Sequence, residues 1–201
     1  MKTTILLLFL AITSCNKDSV KQDPIAQLPP ETQTGANTFG CIINNQVFYP
    51  RDGSGNLGGS AVDKGLIFWV ATDDIEWNEI DCGNFKDGKP ASRMIIHLQG
   101  LVSNGTGEYF LKSTNFLRSI DGLLQNYIFA KIFDSNTNTW KYYGSYENSG
   151  KVNITKYDTL NYIVSGNFTG KLRLKNGTEE IEILNGRFDI KRTTLLQTFF
   201  P

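Results

Sequence analysis

Tyr162-Ile163-Val164-Ser165-Gly166-Asn167-Phe168-Thr169-Gly170-Lys171-Leu172-Arg173-Leu174 decides the fold. Its even positions carry Tyr162, Val164, Gly166, Phe168, Gly170, Leu172 and Leu174, and from Ser165 onward its odd positions are polar. A period of two is the signature of a strand with one face buried. At ~3.3 Å per residue the stretch spans about 43 Å, too long to stay flat, so Gly166 and Gly170 are where a bend or a change of sheet is expected.

The flanks repeat the pattern. Asn176-Gly177 predicts a type I′ hairpin turn into a return strand. That strand places Ile181 and Ile183 on odd positions but Phe188 and Ile190 on even ones. A one-residue change of phase predicts a β-bulge at Asn185-Gly186. Upstream, Val152 and Ile154 alternate with Lys151, Asn153 and Thr155, and Ile128, Ala130 and Ile132 alternate with Tyr127, Phe129 and Phe133. Asp134 to Asn138 turns the latter strand into Trp140-Lys141-Tyr142-Tyr143. Near the start of the pattern Phe39, Cys41 and Ile43 lead into Asn44-Asn45, residues that tolerate the positive φ of a tight turn, so a hairpin to Val47-Phe48-Tyr49 is expected.

Leu66 to Ala71 and Met94 to Leu98 are apolar on both faces and read as strands central to a packed sheet. Asp73 to Cys82 holds five carboxylates without clean alternation and reads as a loop with one irregular strand. Tyr109-Phe110-Leu111 reads as a strand, and Asn115 to Ile120 is the one stretch suited to a helical turn. These elements predict an all-β fold: a single domain over 37–201, an antiparallel two-sheet β-sandwich of eight to ten strands, with a closed β-barrel as the alternative.

Before the domain, Met1-Lys2-Thr3-Thr4 precedes the apolar run Ile5 to Ile12 and then Thr13-Ser14-Cys15. One Lys, a run too short to span a bilayer and a small-residue exit predict a signal peptide over 1–14. Ile12-Thr13-Ser14-Cys15 resembles the bacterial lipobox, which implies lipidation of Cys15, with a thioether-linked diacylglycerol and an N-acyl chain such as palmitate. Two or three acyl chains make a permanent membrane anchor where one is marginal. The polar, proline-containing stretch 15–36 reads as a disordered tether, whose coil dimensions place the domain about 25 Å from the membrane. Lys17-Asp18 is similar to the Lys/acidic signals of surface lipoproteins. The outer membrane is thus the expected location, on either the periplasmic or the exposed side.

Lys plus Arg (20) balance Asp plus Glu (20) without a basic run, which argues against nucleic acid as a partner. With Cys15 acylated, Cys41 and Cys82 remain as an even pair, either a disulfide or two buried thiols. His97 is the only histidine and lies mid-strand, no Gly-x-Ser-x-Gly elbow occurs, and no paired Cys-x-x-Cys exists, so neither a hydrolase triad nor a zinc site assembles from the sequence. Calcium needs only oxygen ligands, which makes Asp73, Asp74 and Glu76, with Glu79 and Asp81, weak candidates; their spacing is not that of an EF-hand loop. The same acids could supply a glycosidase pair, although nothing in the spacing selects an acid and a nucleophile. Trp77 and Trp140 are candidates for a ligand-binding aromatic surface, whereas Trp69 reads as core.

Phe39-Gly40-Cys41-Ile42-Ile43-Asn44, Gly150 to Asp158, Ile163-Val164-Ser165-Gly166-Asn167-Phe168 and Asn185-Gly186-Arg187-Phe188-Asp189-Ile190 together resemble the DUF6252-type lipoproteins of Bacteroidetes. The resemblance covers most of 37–192 and rests on strand and turn patterns. It implies a β-rich lipoprotein without an assigned activity and transfers no site residues. The expected function is therefore a membrane-anchored, non-enzymatic binding or structural module without cofactor, its partner a glycan or an envelope protein. A glycan-binding accessory lipoprotein and a hydrolase with an unrecognised site are the alternatives.

Overall fold

The computed structural model describes residues 23–54, 63–71, 76–85 and 91–201. Cys15, Asp73 and Asp74 lie outside them, and with Cys15 the expected signal peptide and anchor. The fold is all-β. Among the described residues eleven antiparallel strands follow one another: β1 (Thr38–Ile43), β2 (Gln46–Phe48), β3 (Leu66–Val70), β4 (Trp77–Asn84), β5 (Ser92–Gln99), β6 (Gly107–Phe110), β7 (Tyr127–Asp134), β8 (Thr139–Gly144), β9 (Gly150–Asp158), β10 (Ile163–Leu174) and β11 (Glu180–Lys191). They form one curled sheet in the order β2-β1-β11-β10-β8-β7-β5-β4-β3, with β9 on β10 and β6 on β9. The all-β, antiparallel expectation is borne out.

The opening stretch is the pivot. β10 lies along β11 on one side, while on its other side it pairs with β9 over Ile163 to Gly170 and with β8 at Arg173 and Leu174. The change of neighbour falls just after Gly170, which faces Gly150 across the ladder. A Cβ on Gly150 would fall inside contact distance of the Thr169 carbonyl and the Gly170 Cα, so only glycine permits this approach. In β11 two residues, Leu184 and Asn185, stand against Thr169 alone, and Asn185 has φ +51°. That bulge moves burial from Ile181 and Ile183 to Phe188 and Ile190, as the phase change requires. Asn44 and Asn45, with φ +46° and +66°, close the β1–β2 hairpin as a two-residue turn. Asn176 is left-handed but Gly177 is not, so the expected type I′ turn is replaced by a longer loop closed by the Gly177 N–H on the Leu174 carbonyl.

Three other readings are corrected. From Trp77 onward the acid-rich stretch is the regular strand β4, paired on both sides, because the buried Glu79 and Asp81 find partners in His97, Arg93 and Arg118. β3 is an edge strand, not a central one, and Trp69 is 46% exposed on its outer face rather than core. From Asp23 onward the expected disordered tether is ordered: a 3-10 turn at Pro24–Gln27 leads to a segment crossing the outer face of the sheet. The Asp189 carboxylate on β11 gathers it, accepting hydrogen bonds from the Thr34, Gly35 and Ala36 N–H groups at 2.8–3.0 Å and from the Thr32 hydroxyl at 2.6 Å. Four donors on one buried carboxylate offset the ordering entropy that polar composition alone leaves uncompensated.

Inside the curl a single core joins residues from strands far apart in the sheet, among them Phe39, Ile80, Ile96, Ile128, Val152, Phe168 and Phe188. Each such side chain contributes roughly 1.5–3 kcal/mol on full burial. On the outer face Ile95, Tyr127 and Phe129 form a second, smaller cluster beneath Phe116.

Candidate ligand-binding site

The concave face opens at one end into a cleft of about 350 Å³, where the β1–β2, β7–β8 and β10–β11 connections converge. Ile43, Val47, Phe48, Ile132 and Ile181 supply its apolar wall. Strand alternation sets its polar group: Lys141 and Tyr143, two residues apart on β8, share the inner face, opposite Ile132 and Ala130 of β7. Lys141 Nζ lies 3.0 Å from Glu179 Oε2 and 3.2 Å from Asp134 Oδ2, and the Tyr143 hydroxyl donates to Glu179 Oε1 at 2.6 Å.

These contacts set the charge of the cleft. Lys141 is held above its ordinary range by hydrogen bonds to Glu179 and Asp134 and remains an ammonium. Glu179 is lowered by the Tyr143 hydroxyl and then by Lys141. Asp134 is lowered first by the Asn136 N–H and then by Lys141. Burial, reinforced by Glu179, pushes the Tyr143 phenol up to about 12. One cation thus stands against two carboxylates at the rim of an apolar wall, the combination that orients a ligand with an apolar body and a hydrogen-bond-donating head.

The residues singled out in the sequence fall elsewhere. Trp77 on β4 and Trp140 on β8 share the outer face but are separated by β5 and β7, so they form no common platform. The Trp77 ring stacks on His97 at 6.0 Å; Trp140 packs edge-on against Phe133 and carries Lys131 Nζ 4.2 Å above it. Glu76 accepts from the Ser103 hydroxyl at 2.5–2.6 Å, while Glu79 and Asp81 are buried on the outer face beneath the loop of Arg118 and Ser119, so the three do not gather as ligands. Among the described residues no group of three metal-ligating side chains occurs. Cys41 and Cys82 are free thiols, both buried, and burial raises each well above its ordinary value.

His97 lies in a buried polar cluster on the outer face of β4 and β5. Its Nδ1 is 2.8 Å from Glu79 Oε1, its ring stacks on Tyr127 at 4.5 Å, and a loop lies over the pair. The Ser119 N–H donates to Glu79 Oε1 at 2.6 Å and the Tyr127 hydroxyl to the Leu117 carbonyl at 2.9 Å. Arg93 Nε and Arg118 Nη1 each lie 2.8 Å from Asp81, the Arg93 contact being an ion pair by distance without the alignment of a hydrogen bond. Burial raises the Asp81 pKa and the two arginines oppose that rise. Serine, histidine and acid thus meet in the order Ser119–Glu79–His97, with the acid in the middle. A nucleophilic triad requires the histidine between the other two. The cluster instead fastens the loop to the sheet.

The Lys141–Glu179–Tyr143 group escaped sequence reasoning. Its one local signal is the alternation that pairs Lys141 with Tyr143, since Glu179 arrives from a hairpin turn distant in the chain. No family model, no curated protein and no solved structure matches the chain.

Proposed function

We propose that the chain is an envelope lipoprotein of the outer membrane, anchored through Cys15, whose domain is a non-enzymatic module holding a small amphipathic ligand in the mouth of the curled sheet. The observation that carries this reading is the cleft itself, with an apolar wall of Ile43, Val47, Ile132 and Ile181 beneath the Lys141 cluster. The lipobox-like Ile12-Thr13-Ser14-Cys15 and the resemblance to DUF6252-type lipoproteins support the anchor. The Ser119–Glu79–His97 order supports a non-catalytic role. A glycan-binding accessory module is the second reading, favoured by Lys131 poised over both Trp140 and Tyr142 on the outer face of β8.

The mouth is tested with the apolar fluorophore N-phenyl-1-naphthylamine. Its emission should rise on the wild-type chain, and Ile132→Glu, which sets a third carboxylate beside Asp134 and Glu179, should weaken binding by about tenfold or more. An unchanged affinity in a variant with the wild-type urea midpoint would remove the mouth as the site. Intact mass tests the anchor: a mature chain beginning at Cys15 and carrying diacylglycerol is expected, and an unmodified Cys15 excludes it.

A further inference from the structure

A second apolar concavity, of about 400 Å³, lies on the flank of the molecule, lined by Leu28, Pro29, Phe39, Tyr49, Pro50 and Phe199. Its rim is open, with Phe199 72% exposed and Tyr49 38%, and Ile25, two residues before the lining Gln27, is 51% exposed. The Arg51 guanidinium lies over the Tyr49 ring at 5.4 Å. An aromatic ring paired with a cation suits a water–lipid boundary, where the apolar body of the ring meets the lipid and the charge is held at the wet side.

What lies next to this flank follows from the chain that precedes it. Gln27 lines the concavity, and the 3-10 turn at Pro24–Gln27 packs near β2, so the N-terminal segment enters the domain here. Only residues 16–22 separate Cys15 from Asp23. Eight Cα steps reach at most about 28 Å, and a coil of that length averages about 15 Å end to end. The ordering of residues 24–36 therefore shortens the working tether to well under the distance expected for a 22-residue coil, and an acylated Cys15 keeps the flank within its own radius of the bilayer.

We propose that this flank docks on the lipid bilayer, with Ile25, Tyr49 and Phe199 entering the boundary between headgroups and acyl chains. The proposal rests on the anchoring of Cys15. Docking also places the mouth beside the membrane, because the end of β2 divides the two concavities: Phe48, its last residue, lines the cleft, and Tyr49, which follows it, lines the flank. An amphipathic ligand could then pass from the bilayer surface to the mouth around one strand.

The test uses the lipidated full-length chain in vesicles of phosphatidylethanolamine and phosphatidylglycerol with brominated acyl chains. Phe199→Trp reports from the flank, and Tyr142→Trp from β8, four strands away in the sheet. Both positions are exposed, so neither substitution threatens folding. Bromine should quench the added Phe199→Trp emission at least about twofold more than that of Tyr142→Trp, as expected for side chains entering the headgroup–acyl boundary. Equal quenching in co-sedimenting protein overturns the docking and leaves the anchor standing. A Phe199→Trp signal shielded from acrylamide but unquenched by bromine also overturns it, since a protein then covers the flank. A chain that fails to co-sediment with vesicles overturns anchor and docking together.

Discussion

Asp189 shows how much one side chain can decide. Burial raises its pKa, but hydrogen bonds from Thr32, Ala36, Ser165 and Gly35 outweigh that and bring it to about 2 from an ordinary 3.8. A carboxylate whose folded pKa is depressed stabilises the native state above its unfolded pKa and loses that contribution as the pH falls through the folded one. The shift corresponds to roughly 2 kcal/mol, present at neutral pH and lost between about pH 4 and pH 2. Asp189→Asn is expected to lower the unfolding free energy by about 2 kcal/mol at pH 7, because the amide, with a single acceptor oxygen, cannot accept from all the donors that surround the carboxylate. Urea unfolding across pH checks this: the gap to wild type should close toward pH 2, and a gap that stays constant excludes the assignment. In the sequence Asp189 appears merely as a polar residue between Phe188 and Ile190. Its value depends on donors about 155 residues earlier in the chain, to which alternation is blind.

At the scale of elements, β10 and β11 were the most legible part of the protein because their patterns answer to local geometry. The period of two, the phase change at Asn185 and the glycines of β10 each follow from where one strand must lie against the next. Gly150 is the partner that sequence alone did not single out. It faces Gly170 where β10 exchanges β9 for β8, and a methyl group there meets backbone on the opposing strand, which cannot move aside. Gly150→Ala is expected to destabilise the domain by about 1–3 kcal/mol through overpacking, measured as a lowered urea midpoint. A midpoint at or above wild type would show that the strands do not cross this closely. β4 was misread for the converse reason. Its alternation is sound, with Ile80 and Cys82 inward and Trp77, Glu79 and Asp81 outward, but the outward residues are covered by the loop carrying Arg118 and Ser119, and buried acids look like loop residues until their partners are known.

For the whole molecule, the curl of the sheet matters more than any single strand. Cys41 on β1 and Cys82 on β4 stand far apart in strand order, yet the curl buries both in one core as free thiols. Both should resist iodoacetamide in the native protein, since thiolate formation is suppressed by burial. In urea without reductant both should react, giving two carbamidomethyl groups by mass, with a third only if Cys15 is unacylated. Failure of both to react after unfolding would reveal a disulfide. The same curl brings Glu179 to Lys141 and makes the mouth, and it sets β2 between the mouth and the flank that we place on the membrane. The all-β class, most strand positions, the β1–β2 turn and the bulge were determined by the sequence alone, because they depend on side-chain period and on residues that accept positive φ. The ordering of residues 24–36, the burial of Glu79, His97 and Asp81, the edge position of β3 and the cleft around Lys141 were decided only by the tertiary structure. Each rests on a charge or an apolar face whose partner is brought in from a distant part of the chain, and no local pattern encodes that meeting.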